Sequence, residues 1–156
     1  MKIHNLLMQD MIIPELKFQD RDGVLREMVS FLKKKNKIAK EKGLYEKLIQ
    51  REKLGSTAIG EGVAIPHCKL KEVKNPIVML AISEKGVNFY SLDEKPSYIF
   101  FLVVSSPDNP SLNLQILAAI AHLVRKSNLL LKKILEAGNI KMIADIIREE
   151  EEKLNE

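Results

Sequence analysis

One histidine at the end of a glycine-rich segment is the side chain best placed to do chemistry. The segment reads Ser56-Thr-Ala-Ile-Gly-Glu-Gly-Val-Ala-Ile-Pro-His67, and it follows a further glycine at position 55. Glycine lets the backbone adopt positive φ or approach another group closely. Pro66 restricts its own φ and favours extended geometry in the residue before it, so a short strand would present His67 with little freedom. Such an imidazole is suited to nucleophilic chemistry.

Arg51 precedes this segment and is a candidate partner for His67. Its guanidinium presents paired N–H groups that match the oxygens of a phosphate better than lysine does. A glycine-rich turn before a histidine at a strand end is also compatible with a purely structural role. The residue types alone leave both interpretations open.

Other chemistries have weaker support in the sequence. Neither G-x-x-x-x-G-K-[ST] nor G-x-G-x-x-G occurs, so the usual phosphate loops of nucleotide-binding proteins are missing. Only Glu61 stands near His67 as a second metal ligand, which makes a zinc or hydrolase site improbable. Cys68 would point to the opposite face of a strand and is expected to be a small buried residue. His4 has no evident partner, and His122 lies in an apolar helix where a core or surface role is expected.

The composition is that of a folded protein with a mainly aliphatic core. Of the 156 residues, 46% are hydrophobic, 29% are charged and only 5% are aromatic. A net charge of +4 permits an anionic partner, but it falls short of what nucleic-acid binding usually shows. The single cysteine excludes an intrachain disulfide and suits a reducing compartment. Because no apolar run approaches the roughly 20 residues of a membrane span, we expect a cytoplasmic protein with one domain over residues 1–156.

The pattern along the chain predicts helices, then a block of strands, then helices again. The predicted helices cover residues 22–34 with Asp22 as N-cap, 44–53 with Gly55 as the stop, 112–124, 128–136 and 139–150. The predicted strands are one short strand within 6–18, then 63–65, 76–82, a hairpin partner at 87–90, and a central strand at 98–105. The lysines between residues 33 and 42 are expected to be solvated. The helix at 112–124 is expected to be buried on all sides, and the tail from about residue 150 is expected to be frayed. This order predicts an α/β fold whose mixed parallel/antiparallel sheet is covered by helices on both faces, a three-layer α/β/α sandwich.

The segment from Ser56 to His67 closely resembles the active-site signature of the type-2 enzyme IIA domain of the bacterial phosphotransferase system, the fructose/mannitol/nitrogen class. The pair Arg51-Glu52 and the segments 86–96, 99–104 and 114–117 also resemble this family. The resemblance covers nearly the whole chain, from about residue 1 to residue 147.

The resemblance implies a phosphocarrier without cofactor or metal. His67 would accept a phosphoryl group from the histidine of the carrier protein HPr and pass it to a cysteine of the IIB unit of a sugar permease. Arg51 would stabilise the equatorial oxygens, and Glu61 occupies a family position near the site. Neither nucleic acid nor membrane insertion is implied.

The chain departs from the family at Asn113, where the family commonly has a second histidine. His122 cannot replace that histidine, because nine residues of helix place it about half a turn away. The amide of Asn113 can still donate a hydrogen bond to a phosphoryl oxygen, but it cannot titrate.

Three functions fit these observations. The first is phosphoryl transfer in sugar uptake, with a fructose-like character in residues 69–76. The second is a regulatory protein of the nitrogen-related branch, whose phosphorylation state controls protein partners. The third is a domain that has kept the fold and lost transfer.

Overall fold

The β-branched and aromatic residues between positions 97 and 105 form the central strand in the computed structural model, which describes residues 1–155. The elements before it are helix α1 (Ile3–Leu6), a 3-10 helix (Gln9–Met11), strand β1 (Ile12–Ile13), helices α2 (Arg21–Lys34) and α3 (Glu41–Lys53), and strands β2 (Ala58–Gly60), β3 (Val63–Ala64), β4 (His67–Lys69) and β5 (Ile77–Val87). The central strand is β6 (Ser97–Ser105), and helices α4 (Pro110–Lys126), α5 (Leu130–Glu136) and α6 (Ile140–Lys153) follow it.

Strand β6 is paired along both of its edges. On one edge it runs antiparallel to β5, with Met79 opposite Leu102. On the other edge it runs parallel first to β3 and then to β4, with His67 opposite Val103. Strand β2 adds antiparallel to β3, and β1 adds parallel to β5. The strand order is therefore β1-β5-β6-β3-β2, with β4 also paired to β6.

Helices cover both faces of this mixed sheet. Every residue of β6 except Tyr98 is buried, and successive side chains of a strand point to opposite faces. Helix α3 contacts α2 and β4, whereas α4 contacts β6 and α1, and α6 contacts α1 and α5. The predicted α/β fold with a mixed sheet covered by helices on both faces is thus confirmed.

Most predicted elements are present with shifted ends. The short N-terminal strand, the strand after residue 62, the central strand and the five predicted helices all occur, and the lysines from 33 to 42 are exposed. The predicted N-cap of α2 was wrong by two positions. Asp20 is the N-cap, and its Oδ2 accepts a hydrogen bond from the Gly23 N–H at 3.2 Å. Asp22 lies in the first turn and pairs with Arg21 instead.

The predicted hairpin between residues 76–82 and 87–90, which needs a turn at 84–86, was also wrong. Strand β5 continues through these residues to Val87, with an irregularity in its pairing between Ile82 and Val87. Gly86 has a φ of 85° within this stretch, a value that glycine tolerates without strain. The antiparallel partner of β5 is therefore β6, and not residues 87–90.

The C-terminal helix extends beyond the predicted end and buries two carboxylates. Helix α6 continues to Lys153, so the four consecutive glutamates are helical rather than frayed. Glu151 accepts hydrogen bonds from the backbone N–H of Ile3 and from Nδ1 of His4, both at 2.6 Å. His4 therefore has a partner, which the sequence analysis missed because 147 residues separate the two along the chain.

Helix α4 is not buried on all sides, contrary to the prediction. Its buried side chains follow one stripe and include Asn113, Ile116 and Ile120, whereas Leu114 is 68% exposed. His122 is exposed on the surface of this helix, which is one of the two positions expected for it.

Among residues 1–155, no individual helix is both long and apolar enough to cross a membrane. Helices α4 and α5 reach that length and composition only when taken together, and an 87° bend separates them.

We expect Glu150→Gln to lower the free energy of unfolding at pH 7 by about 2 kcal/mol, because hydrogen bonds to a charged group contribute about 1.5–3 kcal/mol. The buried Glu150 carboxylate accepts hydrogen bonds from Lys153, Ser127 and Lys133, which hold its pKa at about 2. A depressed pKa stabilises the folded state fully above the ordinary value of 4.5, and this contribution is lost as the pH falls from there towards 2.

Urea unfolding of wild type and variant between pH 7 and pH 2 measures this difference. Glu152→Gln, on the exposed side of the same helix, is the matched control. An equal loss in the control, or a difference that does not shrink below pH 4.5, would contradict the assignment.

Candidate functional site

The strand pairing along β6 determines where His67 lies. Strands β3 and β4 follow one another along the same edge of β6, so the backbone from Val63 to His67 stays extended. Between them, the carbonyl of Pro66 accepts a hydrogen bond from the Val103 N–H at 3.0 Å. Pro66 lacks an N–H and donates no bond at this position. His67 consequently begins β4 next to the carboxyl-terminal half of the central strand.

One ring nitrogen of His67 is engaged and the other is free of intramolecular partners among residues 1–155. Nδ1 lies 2.7 Å from the carbonyl oxygen of Ile65. A carbonyl only accepts hydrogen bonds, so we assign the hydrogen to Nδ1 and the lone pair to Nε2. The side chain remains partly exposed, so a reacting group can approach Nε2 from outside.

The surroundings of His67 favour its neutral form. Burial is the main cause that lowers the pKa of the imidazole, and the nearby positive charge of Arg51 lowers it further. The hydrogen bond to Ile65 acts in the opposite direction and is outweighed. The fraction of His67 with a free lone pair at neutral pH is therefore larger than for an ordinary histidine.

Arg51 is brought to His67 by the end of α3. Its Nη1 donates a hydrogen bond to the carbonyl oxygen of Gly55 at 2.7 Å, so the side chain folds back over the end of its own helix. Gly55 has a φ of 151°, and this conformation turns the chain from α3 towards β2. The guanidinium has five N–H donors, so donors remain available after this bond.

A buried carboxylate holds the turn between α3 and β2 in place. Glu52 accepts hydrogen bonds from the backbone N–H of Thr57 at 2.9 Å and from its hydroxyl at 2.5 Å. Burial is the main cause that raises the pKa of Glu52, while the two bonds from Thr57 and the charge of Arg51 oppose it. The sequence analysis missed this role. Leu44, Leu48 and Glu52 recur every four residues, and this spacing would have placed Glu52 on the buried side of α3.

Asn113 lies at the end of the sheet where β6 leads into α4. Its Nδ2 donates a hydrogen bond to the carbonyl oxygen of Ser106 at 2.8 Å, and the residue is 5% exposed. Its Oδ1 is buried without a hydrogen-bond partner among residues 1–155. No hydrogen bond within the described chain joins Asn113 to His67.

Cys68 is half-buried and packs against the core, whereas the sequence predicts a buried residue. The positive charge of Lys47 on α3 acts to lower the pKa of its thiol, but burial has the larger effect. Burial raises the pKa of the thiol to about 12. Cys68 is therefore protonated at neutral pH and is a poor nucleophile.

The structure does not bring Glu61 to His67. Glu61 lies at the tip of the β2–β3 hairpin with a φ of 57°, and it lines a pocket together with residues from the α4–α5 connection. The extended backbone from Val63 to His67 alone spans about 13 Å at about 3.3 Å per residue. A glutamate side chain does not reach across that distance, so Glu61 and His67 belong to opposite ends of β3.

Within residues 1–155, no group of three or more His, Cys, Asp or Glu side chains is arranged to hold a metal ion.

Comparisons with known proteins find relatives along most of this chain. The family model described as "Phosphoenolpyruvate-dependent sugar phosphotransferase system, EIIA 2" matches residues 5–150. The "PTS system fructose-specific EIIABC component" of Bacillus subtilis is 33% identical over 149 residues, which are 96% of this chain but only 23% of that protein. The "Nitrogen regulatory protein" of Bradyrhizobium diazoefficiens is 34% identical over 134 residues, which are 83% of this chain and 84% of that protein.

Solved structures share the fold at low sequence identity. The nitrogen regulatory protein IIA-Ntr from Neisseria meningitidis superposes with a TM-score of 0.80 at 22% identity, covering 93% of this chain and 98% of that one. The enzyme IIA of the Escherichia coli mannitol system, in complex with phosphorylated enzyme IIB, gives 0.75 at 16% identity, covering 92% and 99%. Both likenesses support the fold described above.

We expect the pKa of His67 to lie below 6.5 and to rise in Arg51→Gln, because that change removes a positive charge that disfavours the imidazolium. Arg51→Lys keeps the charge and is the matched control, with a pKa closer to that of wild type. An NMR titration of the imidazole signals measures these values, and the signals missing from His67→Gln identify the residue. A wild-type pKa at or above 6.5, or a fall in Arg51→Gln, would contradict the electrostatic assignment.

Proposed function

Because the chain belongs to the type-2 enzyme IIA family of the phosphoenolpyruvate-dependent sugar phosphotransferase system, we propose that it carries a phosphoryl group on Nε2 of His67. The family membership makes it a phosphoryl-transfer carrier of this system. The observation that most supports the residue is the hydrogen bond from Nδ1 to the Ile65 carbonyl, which leaves the lone pair of Nε2 as the nucleophile.

The proposed transfer needs no net acid or base. The Nε2 lone pair attacks phosphorus on the phosphohistidine of HPr, a new N–P bond forms, and the N–P bond on HPr breaks in line. The Nδ1 hydrogen stays on the ring and remains hydrogen-bonded to the Ile65 carbonyl oxygen. This hydrogen bond stabilises the positive charge that the imidazole gains. In the second step, a cysteine thiolate of a IIB unit attacks the same phosphorus, and the lone pair returns to Nε2.

Arg51 is the proposed stabiliser of charge on the transferring group. Its contact with Gly55 restrains the guanidinium, and its charge already acts on His67 in the resting site. A restrained donor costs less reorganisation when the phosphoryl oxygens arrive, and this is the main source of catalysis in such transfers. We assign no part in transfer to Glu61, because it lies at the far end of β3.

Asn113 is the proposed second contact to the phosphoryl group. One Nδ2 hydrogen is taken by the Ser106 carbonyl, and the other can be donated to a phosphoryl oxygen. A neutral amide makes this contact without a titration of its own. The pH dependence of transfer should then follow His67 alone.

Two exposed leucines next to these residues suit the docking of protein partners. Leu54 is 86% exposed between Arg51 and Gly55, and Leu114 is 68% exposed next to Asn113. Exposed apolar side chains gain free energy when a partner removes them from water. We propose HPr and a IIB unit as the partners that cover them, and the IIB partner is supported by the related mannitol IIA–IIB complex.

A nitrogen-branch regulatory role is the second candidate function. The fructose-specific and nitrogen regulatory relatives are 33% and 34% identical to this chain, so identity favours neither route. The nitrogen regulatory relative matches this chain along most of its own length. In this role the phosphorylation state of His67 would control binding to other proteins.

Incubation with enzyme I, HPr and phosphoenolpyruvate is expected to add one phosphate to the chain, as measured by intact mass. The phosphate should be acid-labile, absent from His67→Ala and present in His122→Ala, whose side chain is exposed on α4. Arg51→Gln should slow phosphorylation by about a hundredfold, because lost charge stabilisation costs about 2.7–4 kcal/mol in comparable sites. Phosphate retained in His67→Ala would overturn the central assignment, and no phosphate in wild type would support the loss of transfer.

The phosphorylated chain then separates the two routes. Loss of its phosphate to the cysteine of a fructose-type or mannitol-type IIB unit supports sugar uptake. Retention of the phosphate in the presence of these IIB units supports the regulatory candidate. His67→Ala is the control, because it is not expected to be phosphorylated. Any phosphate found on IIB in its presence has arrived without passing through this chain.

Asn113→Ala is expected to slow phosphorylation about tenfold without shifting the pH profile, because it removes one hydrogen bond to a charged group, about 1.5 kcal/mol. Asn113→His is expected to transfer phosphate and to add a second titration to the profile. Rates measured between pH 5.5 and pH 8.5 test both variants. An unchanged rate and profile in Asn113→Ala would leave Asn113 without a role in the site.

A further inference from the structure

A cavity of about 770 Å³ lies between the α2–α3 connection, the start of α3 and the loop after β4. Its apolar lining comes from Ile38, Ala39, Leu44, Leu70 and Val73. Leu44 is fully buried, and Leu70 and Val73 are 8% and 6% exposed, so these side chains also belong to the core. Cavities of this size with a mainly apolar lining are typical of small-molecule sites, which range over roughly 300–1,000 Å³.

A glycine in the first turn of α3 lines this cavity. Gly43 is the third residue of the helix and does not have a positive φ, so the backbone does not require glycine there. A Cβ at this position would meet no atom within 4 Å, so packing within the protein does not require glycine either. Glycine inside a helix is less stable than alanine. A larger side chain at Gly43, which lines the cavity, would therefore extend into open space.

The rim of the cavity is positively charged overall. Three lysines line it, Lys37, Lys40 and Lys42, together with the carboxylates of Glu46 and Glu72. The surrounding segment from residue 33 to 42 holds six lysines and one glutamate, and that glutamate is bonded to Ser30. Within residues 1–155, none of these six lysines forms an ion pair with a carboxylate. A dense set of free ammonium groups above an apolar lining attracts anions.

We propose that this cavity binds a small amphiphilic anion, with an apolar chain or ring against the half-buried Ile38 and the exposed edges of Leu70 and Val73, and a carboxylate or phosphate head group at the lysines. The apolar lining is complementary to the apolar part of the ligand, and the positively charged lysine rim is complementary to a negatively charged head group. The flexible lysine stems extend the apolar contact while their charged ends stay in water. The head group stays near the mouth, where it keeps part of its hydration.

This binding site is separate from the proposed phosphoryl site. Strand β4 begins at His67 and leads through Lys69 into Leu70, so the cavity lies at the other end of that strand. Arg51, Glu52 and Asn113 do not line it. The proposal does not depend on phosphoryl transfer, and the result of either test leaves the other unaffected.

Sodium octanoate and neutral 1-octanol are the probes, and two-dimensional amide NMR is the readout. We expect octanoate to shift signals of residues 36–46 and 70–73 in a saturable way, and 1-octanol to bind at least threefold more weakly. Gly43→Leu should fill the space and weaken octanoate at least tenfold. Replacing Lys37, Lys40 and Lys42 by Gln should reduce the preference for octanoate over 1-octanol.

Gly138→Leu is the matched control, because that glycine also lacks a positive φ and a Cβ there would meet only Met142 at 3.8 Å. It should bind octanoate like wild type, and thermal unfolding should show that both leucine variants are folded. Octanoate shifts confined to other residues, or unchanged binding in Gly43→Leu, would overturn the proposal. Equal binding of the two probes would overturn the choice of an anion. The protein could instead sediment with phosphatidylglycerol vesicles, equally well in wild type and Gly43→Leu, and fail to bind octanoate. That result would assign the lysines to a lipid surface and would also overturn the proposal.

Discussion

The pairing of two successive short strands with one edge of β6 is the constraint on which the candidate site depends. Strand β3 pairs with Ile99 and Phe100, and β4 continues along the same edge from Val103. Because Val63 and Ala64 of β3 are buried, a slip of this register would displace core side chains. This register places His67 opposite Val103 of the central strand, and it keeps Glu61 at the other end of β3.

Around that framework, buried polar contacts set the electrostatic character of the site. Glu52 ties the end of α3 to Thr57, and the same turn carries Gly55, which restrains Arg51. Burial of the His67 imidazole is the main cause that lowers its pKa, and the nearby guanidinium of Arg51 lowers that pKa further. The restraint on Arg51, whose charge acts on His67, thus comes from one turn of the chain.

The charges of the chain are divided between two regions with different roles. The carboxylates near the C-terminus are partly internal: Glu151 binds the N-terminal helix, and Glu150 binds Ser127 and two lysines. The lysines between α2 and α3 remain without ion pairs among the described residues and surround an apolar cavity. The net charge of +4 is therefore the sum of a C-terminal acidic region with hydrogen-bonded carboxylates and a basic surface whose lysines lack ion pairs among the described residues.

The sequence by itself was sufficient for the order of elements and the α/β class, and it singled out His67 and Arg51 as candidates, because these inferences depend on local signals. Hydrophobic runs mark buried strands, and glycine and proline constrain the backbone where they stand. The sequence did not determine which partners meet across the fold. Glu151 binds His4 from 147 residues away, β5 passes through an apparent turn because β6 pairs with it, and Glu61 is separated from His67 by strand register. These outcomes depend on contacts between distant segments, which only the tertiary structure brings together.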